Sequence, residues 1–125
     1  MRVYLPLKGV RVLSFELAFA LPAGTRVLSD LGAEVVRVAR PGGNPFSRYI
    51  SSVDGVFHGK PCVDIDLKTE RGKQLAYELA LKADVVSNNY RPGVLDNFGL
   101  GSDRLRKAKP ELIWMQLSGY GTPGP

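Results

Sequence analysis

One cysteine, Cys62, and one histidine, His58, occur among 125 residues. A single cysteine excludes an internal disulfide and any multi-cysteine metal cluster. His58 has no acidic or nucleophilic residue beside it in sequence, so it is expected in an exposed loop, and no Ser-His-Asp set can be assembled. No apolar run approaches the ~20 residues that span a bilayer, because charges interrupt every hydrophobic stretch. The opening Met1–Pro6 is too short, and too soon followed by Lys8 and Arg11, to act as a secretory signal. These absences predict a cytoplasmic chain with no membrane partner and no metal. Glycine is also missing from Glu16–Leu21, the turn after the first predicted strand. A dinucleotide fingerprint needs its glycines there, so a standard NAD-type site is not expected. The literal G-x-G-x-x-G match at Gly119–Gly124 follows the last strand and contains Pro123, and reads as a tight turn.

What is present is an ordinary globular balance, 44% hydrophobic and 23% charged. At this size one domain is expected, burying about two-thirds of the surface its unfolded chain exposes. Seventeen Lys and Arg against twelve Asp and Glu give a net charge of +5. Such a surface favours anionic partners. Only Arg104–Lys109 concentrates the positive charge, on a short helical pattern that reads as a solvated face. No nucleic-acid-binding signature accompanies it, so no nucleic-acid partner is expected.

Periodicity alternates between strand and helix. Val10–Phe15 alternates as a strand; a helix follows, with Pro22 near its start, an apolar stripe at Val27, Leu28 and Leu31, and Gly32 as its stop. Glu34–Ala39 is the second strand, and the βαβ spacing makes the two parallel. Arg40–Pro61, opening with Pro41-Gly42-Gly43-Asn44-Pro45, reads as a long loop. Val63–Leu67 is a third strand. Thr69 caps a helix whose Leu75, Ala76, Leu79, Ala80 and Ala83 form a continuous buried stripe. Val85–Ser87, a polar turn at Asn88–Gly93, short helices at Val94–Phe98 and Asp103–Ala108, and a strand at Leu112–Leu117 complete the pattern. The class is α/β, a mainly parallel Rossmann-like sheet flanked by helices. A last strand without a closing helix predicts that residues 1–125 are the N-terminal part of a larger domain.

Ligands of open α/β sheets bind at the carboxyl ends of the strands. Arg37, Arg40 and Arg48 cluster around the end of the second strand, where a phosphate is gripped or where arginines simply meet solvent. Asp64 and Asp66 share one strand face and are expected outward and solvated. Cys62 is expected as a small buried hydrophobe.

Several ordered blocks go further. Leu7-Lys8-Gly9-Val10-Arg11-Val12-Leu13, Ser29–Val38, Arg40-Pro41-Gly42 and Asp64–Thr69 are followed by Ala83–Val86, Asn89-Tyr90-Arg91-Pro92-Gly93-Val94 and Ser118-Gly119-Tyr120-Gly121 with Gly124-Pro125. Along nearly its whole length the chain resembles the family III CoA-transferases, a family that also includes a 2-methylacyl-CoA racemase. The resemblance implies a Rossmann-like large domain, coenzyme A (as acyl-CoA) and a carboxylic acid as substrates, and homo-oligomers built from interlocked subunits; the unfinished sheet edge separately predicts association, with itself or with a complementary chain. It implies CoA transfer through an aspartyl mixed anhydride, with racemisation the alternative within the family. It also implies that the catalytic aspartate lies after the Gly-Tyr-Gly turn, so that none of residues 1–125 is catalytic. By position, Ala18 and Phe19 would line the site after the first strand. Arg40 would face the adenosine phosphate region, and Ile65, Leu67 and Lys68 would hold the adenine and phosphates. Asn89 and Tyr90 would lie near the pantetheine, with Phe98 packed nearby. The chain departs from the family pattern at Leu21, Ala39, Phe57–Lys60 and Asn97. Those departures, with the absent catalytic segment, support a reading of another class, a non-catalytic CoA-binding or assembly module.

Overall fold

The computed structural model describes residues 2–43 and 53–122. Arg48, Asn44 and the Gly124-Pro125 ending lie outside them. Five strands, β1 Arg11–Phe15, β2 Glu34–Ala39, β3 Cys62–Asp64, β4 Val85–Asn88 and β5 Ile113–Gln116, form one sheet in the order β3-β2-β1-β4-β5. Every pairing is parallel; Leu13 stands between Val36 and Val86. The helices are α1 Ala20–Asp30, α2 Val53–Phe57, α3 Glu70–Lys82, α4 Val94–Asn97 and α5 Ser102–Ala108. The α/β class and parallel sheet expected from periodicity are what the chain forms.

Alternation along β1 divides the interior. Leu13 and Phe15 join Val38 and Val86 in a large core under α3, α4 and α5, through Ala76, Ala80, Leu95 and Leu105. Val12 points the other way, into a smaller cluster with Ala33 and Val35, against which Leu28 of α1 packs. With helices on both sides the central strands are apolar on both faces, as parallel sheets require.

Local signals account for most boundaries. Thr69 caps α3 by accepting the Gly72 N–H at 3.0 Å, and a Cβ on Gly72 would sit 1.9 Å from the Asp66 carbonyl oxygen. Only glycine permits that approach. Gly32 ends α1 at φ +103, and its own missing Cβ leaves room for Leu5. Two of the basic residues in Arg104–Lys109 act internally. Arg104 donates to the Gly99 carbonyl at 2.9 Å and stacks over Tyr77, while the Lys109 amine meets the Leu81 and Ala83 carbonyls at the end of α3.

Some expectations are corrected. The stretch read as one long loop contains α2, which docks on α1 where Arg26 donates to the Gly55 carbonyl. The third strand stops at Asp64, so Ile65 and Leu67 are buried outside it. Asn88 belongs to β4 rather than to the turn. In α1, Val27 is 56% exposed and Leu31 also faces outward; Leu21 and Thr25 are buried instead. Leu75 of α3 is 42% exposed, its buried stripe running through Gly72, Ala76 and Ala80. In α3 the inward residues are the small ones, because helix and sheet backbones approach most closely where side chains are short. Cys62 is exposed, since β3 is an edge strand, and His58 is exposed as expected. Asp64 and Asp66 are both exposed.

Candidate functional site

The order β3-β2-β1-β4-β5 reverses direction between β1 and β4, and the segments leaving these strands open a crevice at their carboxyl ends. Asn89 organises it. Its amide accepts the Leu17 N–H at 2.7 Å and donates to the Leu17 carbonyl at 2.7 Å, pairing the turn after β1 with the end of β4. Beside this clamp Ala18 adopts φ 56, a left-handed conformation that is uncommon outside glycine. Phe19 then caps α1 with its side chain 48% exposed.

A cavity of about 320 Å³ lies on the α3–α4 side of this crevice. Val38, Ile65 and Leu67 are its buried apolar wall; Tyr90, Val94 and Phe98 close the opposite side, and Leu17 and Ala39 complete it. Arg40, Lys68 and Arg91 stand exposed on its rim with a single carboxylate, Asp66. The Asp66 carboxylate accepts the Lys68 N–H at 3.0 Å, shaping the turn that carries both residues. Tyr90 packs edge-on against Phe15, and Gln116 donates to its carbonyl at 2.7 Å. Burial pushes the Tyr90 phenol pKa up, and the Arg40 charge partly opposes this. An apolar slot with a cationic rim suits a flat base carrying phosphates. A second cavity of about 540 Å³ adjoins it through Tyr90 and Arg91, between Asn89–Pro92 and Leu117–Thr122.

The structure therefore brings Arg40, Ile65, Leu67, Lys68, Tyr90 and Phe98 around one cavity, and places Asn89 on the adjoining one. Ala18 and Phe19 do not line either of these cavities; they form the clamped turn. Among the described residues no group of three or more His, Cys, Asp or Glu is placed to hold a metal ion. No helix among them is long and apolar enough to cross a membrane.

Sequence reasoning missed the polar cluster on the other face of the same strand ends. Glu16, fully buried, accepts from Lys60 Nζ at 2.8 Å, from Ser14 Oγ at 2.8 Å and from Thr25 Oγ1 at 2.6 Å. Lys60 Nζ, equally buried, also donates to the Pro22 carbonyl at 2.8 Å and to Thr25 at 2.9 Å. Ser87 Oγ donates to Ser14 Oγ at 2.9 Å, extending the chain to β4. Arg37 Nε lies 3.8 Å from Glu16, and its guanidinium stacks over Phe57 at 4.0 Å. Desolvation lowers the Lys60 pKa below 10.5, with Glu16 acting against that shift. Glutamate directly after an apolar strand was the one signal available, and it names no partner.

Comparison with known proteins decides the family. The family model described as CoA-transferase family III matches residues 7–125. The chain belongs to CoA-transferase family III. Among family III relatives, a probable fatty acyl-CoA transferase of Mycobacterium tuberculosis is 43% identical over 96% of this chain and 33% of its own length. Human succinyl-CoA:glutarate CoA-transferase is 37% identical over 96% of the chain and 30% of its own length. The chain thus spans about a third of the length of these two curated relatives. A solved structure of a CAIB/BAIF family protein from Brucella suis superposes with a TM-score of 0.88, at 32% identity, over 98% of this chain and 36% of that one. A short-chain dehydrogenase/reductase family protein, 18% identical with a TM-score of 0.56, shares the fold alone. Family III relatives are CoA-transferases whose names specify CoA thioesters and carboxylic acids as substrates.

Proposed function

We propose that this chain is the CoA-nucleotide-binding part of a family III enzyme that transfers CoA between carboxylic acids. The observation that carries this reading is the convergence of Arg40, Ile65, Leu67, Lys68, Tyr90 and Phe98 on one cavity at the strand ends. In this reading Ile65 and Leu67 cover the adenine, while Arg40 and Lys68 make charge-assisted contacts to phosphates. The pantetheine passes Asn89 and Tyr90 toward the adjoining cavity. Ala18 and Phe19 contribute through the clamped turn. Transfer begins when an aspartate carboxylate outside residues 1–125 attacks the thioester carbonyl. The C–S bond breaks, CoA leaves as thiolate, and an aspartyl mixed anhydride remains. Turnover then needs more chain than these residues, supplied by continuation or by a complementary chain, in the cytoplasm, where the assembly is a homo-oligomer or a pairing with that chain.

Isothermal titration of the 125-residue protein with CoA tests the binding part. Saturable binding that weakens about tenfold on Arg40→Ala is expected, a loss typical of one charge-assisted contact. Absence of binding at millimolar CoA would overturn the reading. Acyl-CoA supplied with an acceptor acid should give no transfer by this chain alone, and transfer would overturn the placement of the aspartate.

A further inference from the structure

We propose that Glu16 is a positioning residue, with Lys60 as its buried counter-ion, that holds the walls of the nucleotide cavity at their working separation. The inference rests on the CoA-binding reading for its functional consequence. Four members of the cluster each lead along the chain to a different lining residue. Leu17 directly follows Glu16, Arg40 comes three residues after Arg37, Tyr90 three after Ser87, and Ile65 five after Lys60. One buried carboxylate therefore links the segments leaving β1 and β4 and leading into β3, and through Thr25 and Pro22 the first turns of α1.

Net stability is a poor explanation for such a pair. Hydrophobic residues of similar volume commonly match or exceed a buried ion pair, because desolving two charges offsets most of their attraction. What it supplies is direction. A carboxylate held by three donors at 2.6–2.8 Å has little freedom left, and neither has the backbone that carries it. That backbone continues into Ala18, whose left-handed conformation must be held by its surroundings. Asn89 secures the turn from the β4 side and Glu16 secures it from beneath.

The test is the double variant Glu16→Gln/Lys60→Met, which removes the two fully buried charges together and leaves only Arg37, part-exposed and stacked on Phe57, without its ion-pair partner. We expect a folded protein whose CoA affinity, by isothermal titration, is weaker by about tenfold, the scale of a supporting contact behind a binding shell. Amide hydrogen exchange without ligand should accelerate at Leu17–Phe19 and Ile65–Lys68 and stay unchanged at Leu13 and Val86. A merely structural pair would alter the unfolding midpoint and leave affinity and local exchange as they were. CoA affinity within twofold of the parent overturns the proposal. If the parent itself does not bind CoA, the functional reading fails separately, and unchanged exchange at the two turns then overturns this one. Should the double variant not fold, Thr25→Val removes one donor in nearly the same volume, with affinity expected to fall about threefold; equal affinity there overturns the proposal as well.

Discussion

On one face of the sheet's carboxyl end, Ile65, Leu67, Val94 and Phe98 line an open cavity, and its rim charges, Arg40, Lys68 and Arg91, form no ion pair among the described residues. On the other face the charges of Glu16 and Lys60 are fully buried, and each makes several hydrogen bonds. The same strand ends thus carry apolar walls with solvated charge in one place and buried, internally satisfied charge in the other. Rim cations without partners keep their capacity for an external anion. The Lys60 ammonium has all three protons engaged, and such a pair serves by fixing where the neighbouring backbone lies. Removing a rim charge should therefore change binding and leave stability alone, whereas removing half of the buried pair should lower stability most, with any loss of affinity following from the displaced backbone.

The largest expected effect is on the buried side. Lys60→Met alone strands the Glu16 carboxylate in the interior and should cost about 3–5 kcal/mol, measured by urea unfolding. A loss below about 1 kcal/mol would mean that water reaches the carboxylate, and the contrast between the faces would collapse. Next comes Gly72→Ala, whose new Cβ meets the Asp66 carbonyl in the turn forming one cavity wall. Destabilisation of about 1–3 kcal/mol is expected from such overpacking, with a lowered thermal midpoint as the readout.

A smaller effect follows from pH. Burial lowers the folded Lys60 pKa, so between that value and 10.5 the unfolded chain binds more protons than the folded one. Stability should rise with pH across this window, and the rise should vanish in Glu16→Gln/Lys60→Met. Tyr90, whose folded pKa is raised above 10.0, works in the opposite direction at higher pH, so the difference between the two proteins is the informative quantity. Chemical denaturation at matched ionic strength would show it; identical slopes would remove Lys60 from the buried set. The smallest change in stability belongs to the rim. Arg40→Ala should stay within about 0.5 kcal/mol of the parent in urea while losing CoA affinity, which separates the two faces most sharply.

Much of the scaffold could be read along the chain because its causes are local. The Thr69 cap, the Gly32 stop and the alternation in β1 and β2 each involve residues only a few positions apart. The site was partly legible for another reason. Ordered motifs shared with CoA-transferase family III marked Arg40, Ile65, Leu67, Lys68, Tyr90 and Phe98, which the fold gathers around one cavity. Motifs could not show that the Asn89 amide clamps the backbone of Leu17, which takes two strands lying side by side.

By itself, then, the order of residues determined the α/β class and most of the succession of strands and helices, α2 excepted. Periodicity and capping act over a few residues, and their outcome is nearly independent of what packs above them. Tertiary structure alone decided which side of α1 and α3 turned inward, leaving Val27 and Leu75 in solvent, and why Cys62 on an edge strand stays exposed. It alone paired Glu16 with Lys60, 44 residues apart, and gathered the polar groups of the strand ends into one network, beside which Arg37 Nε is buried without a hydrogen bond among the described residues. Burial and pairing depend on distances between elements, and those exist only once the sheet has formed.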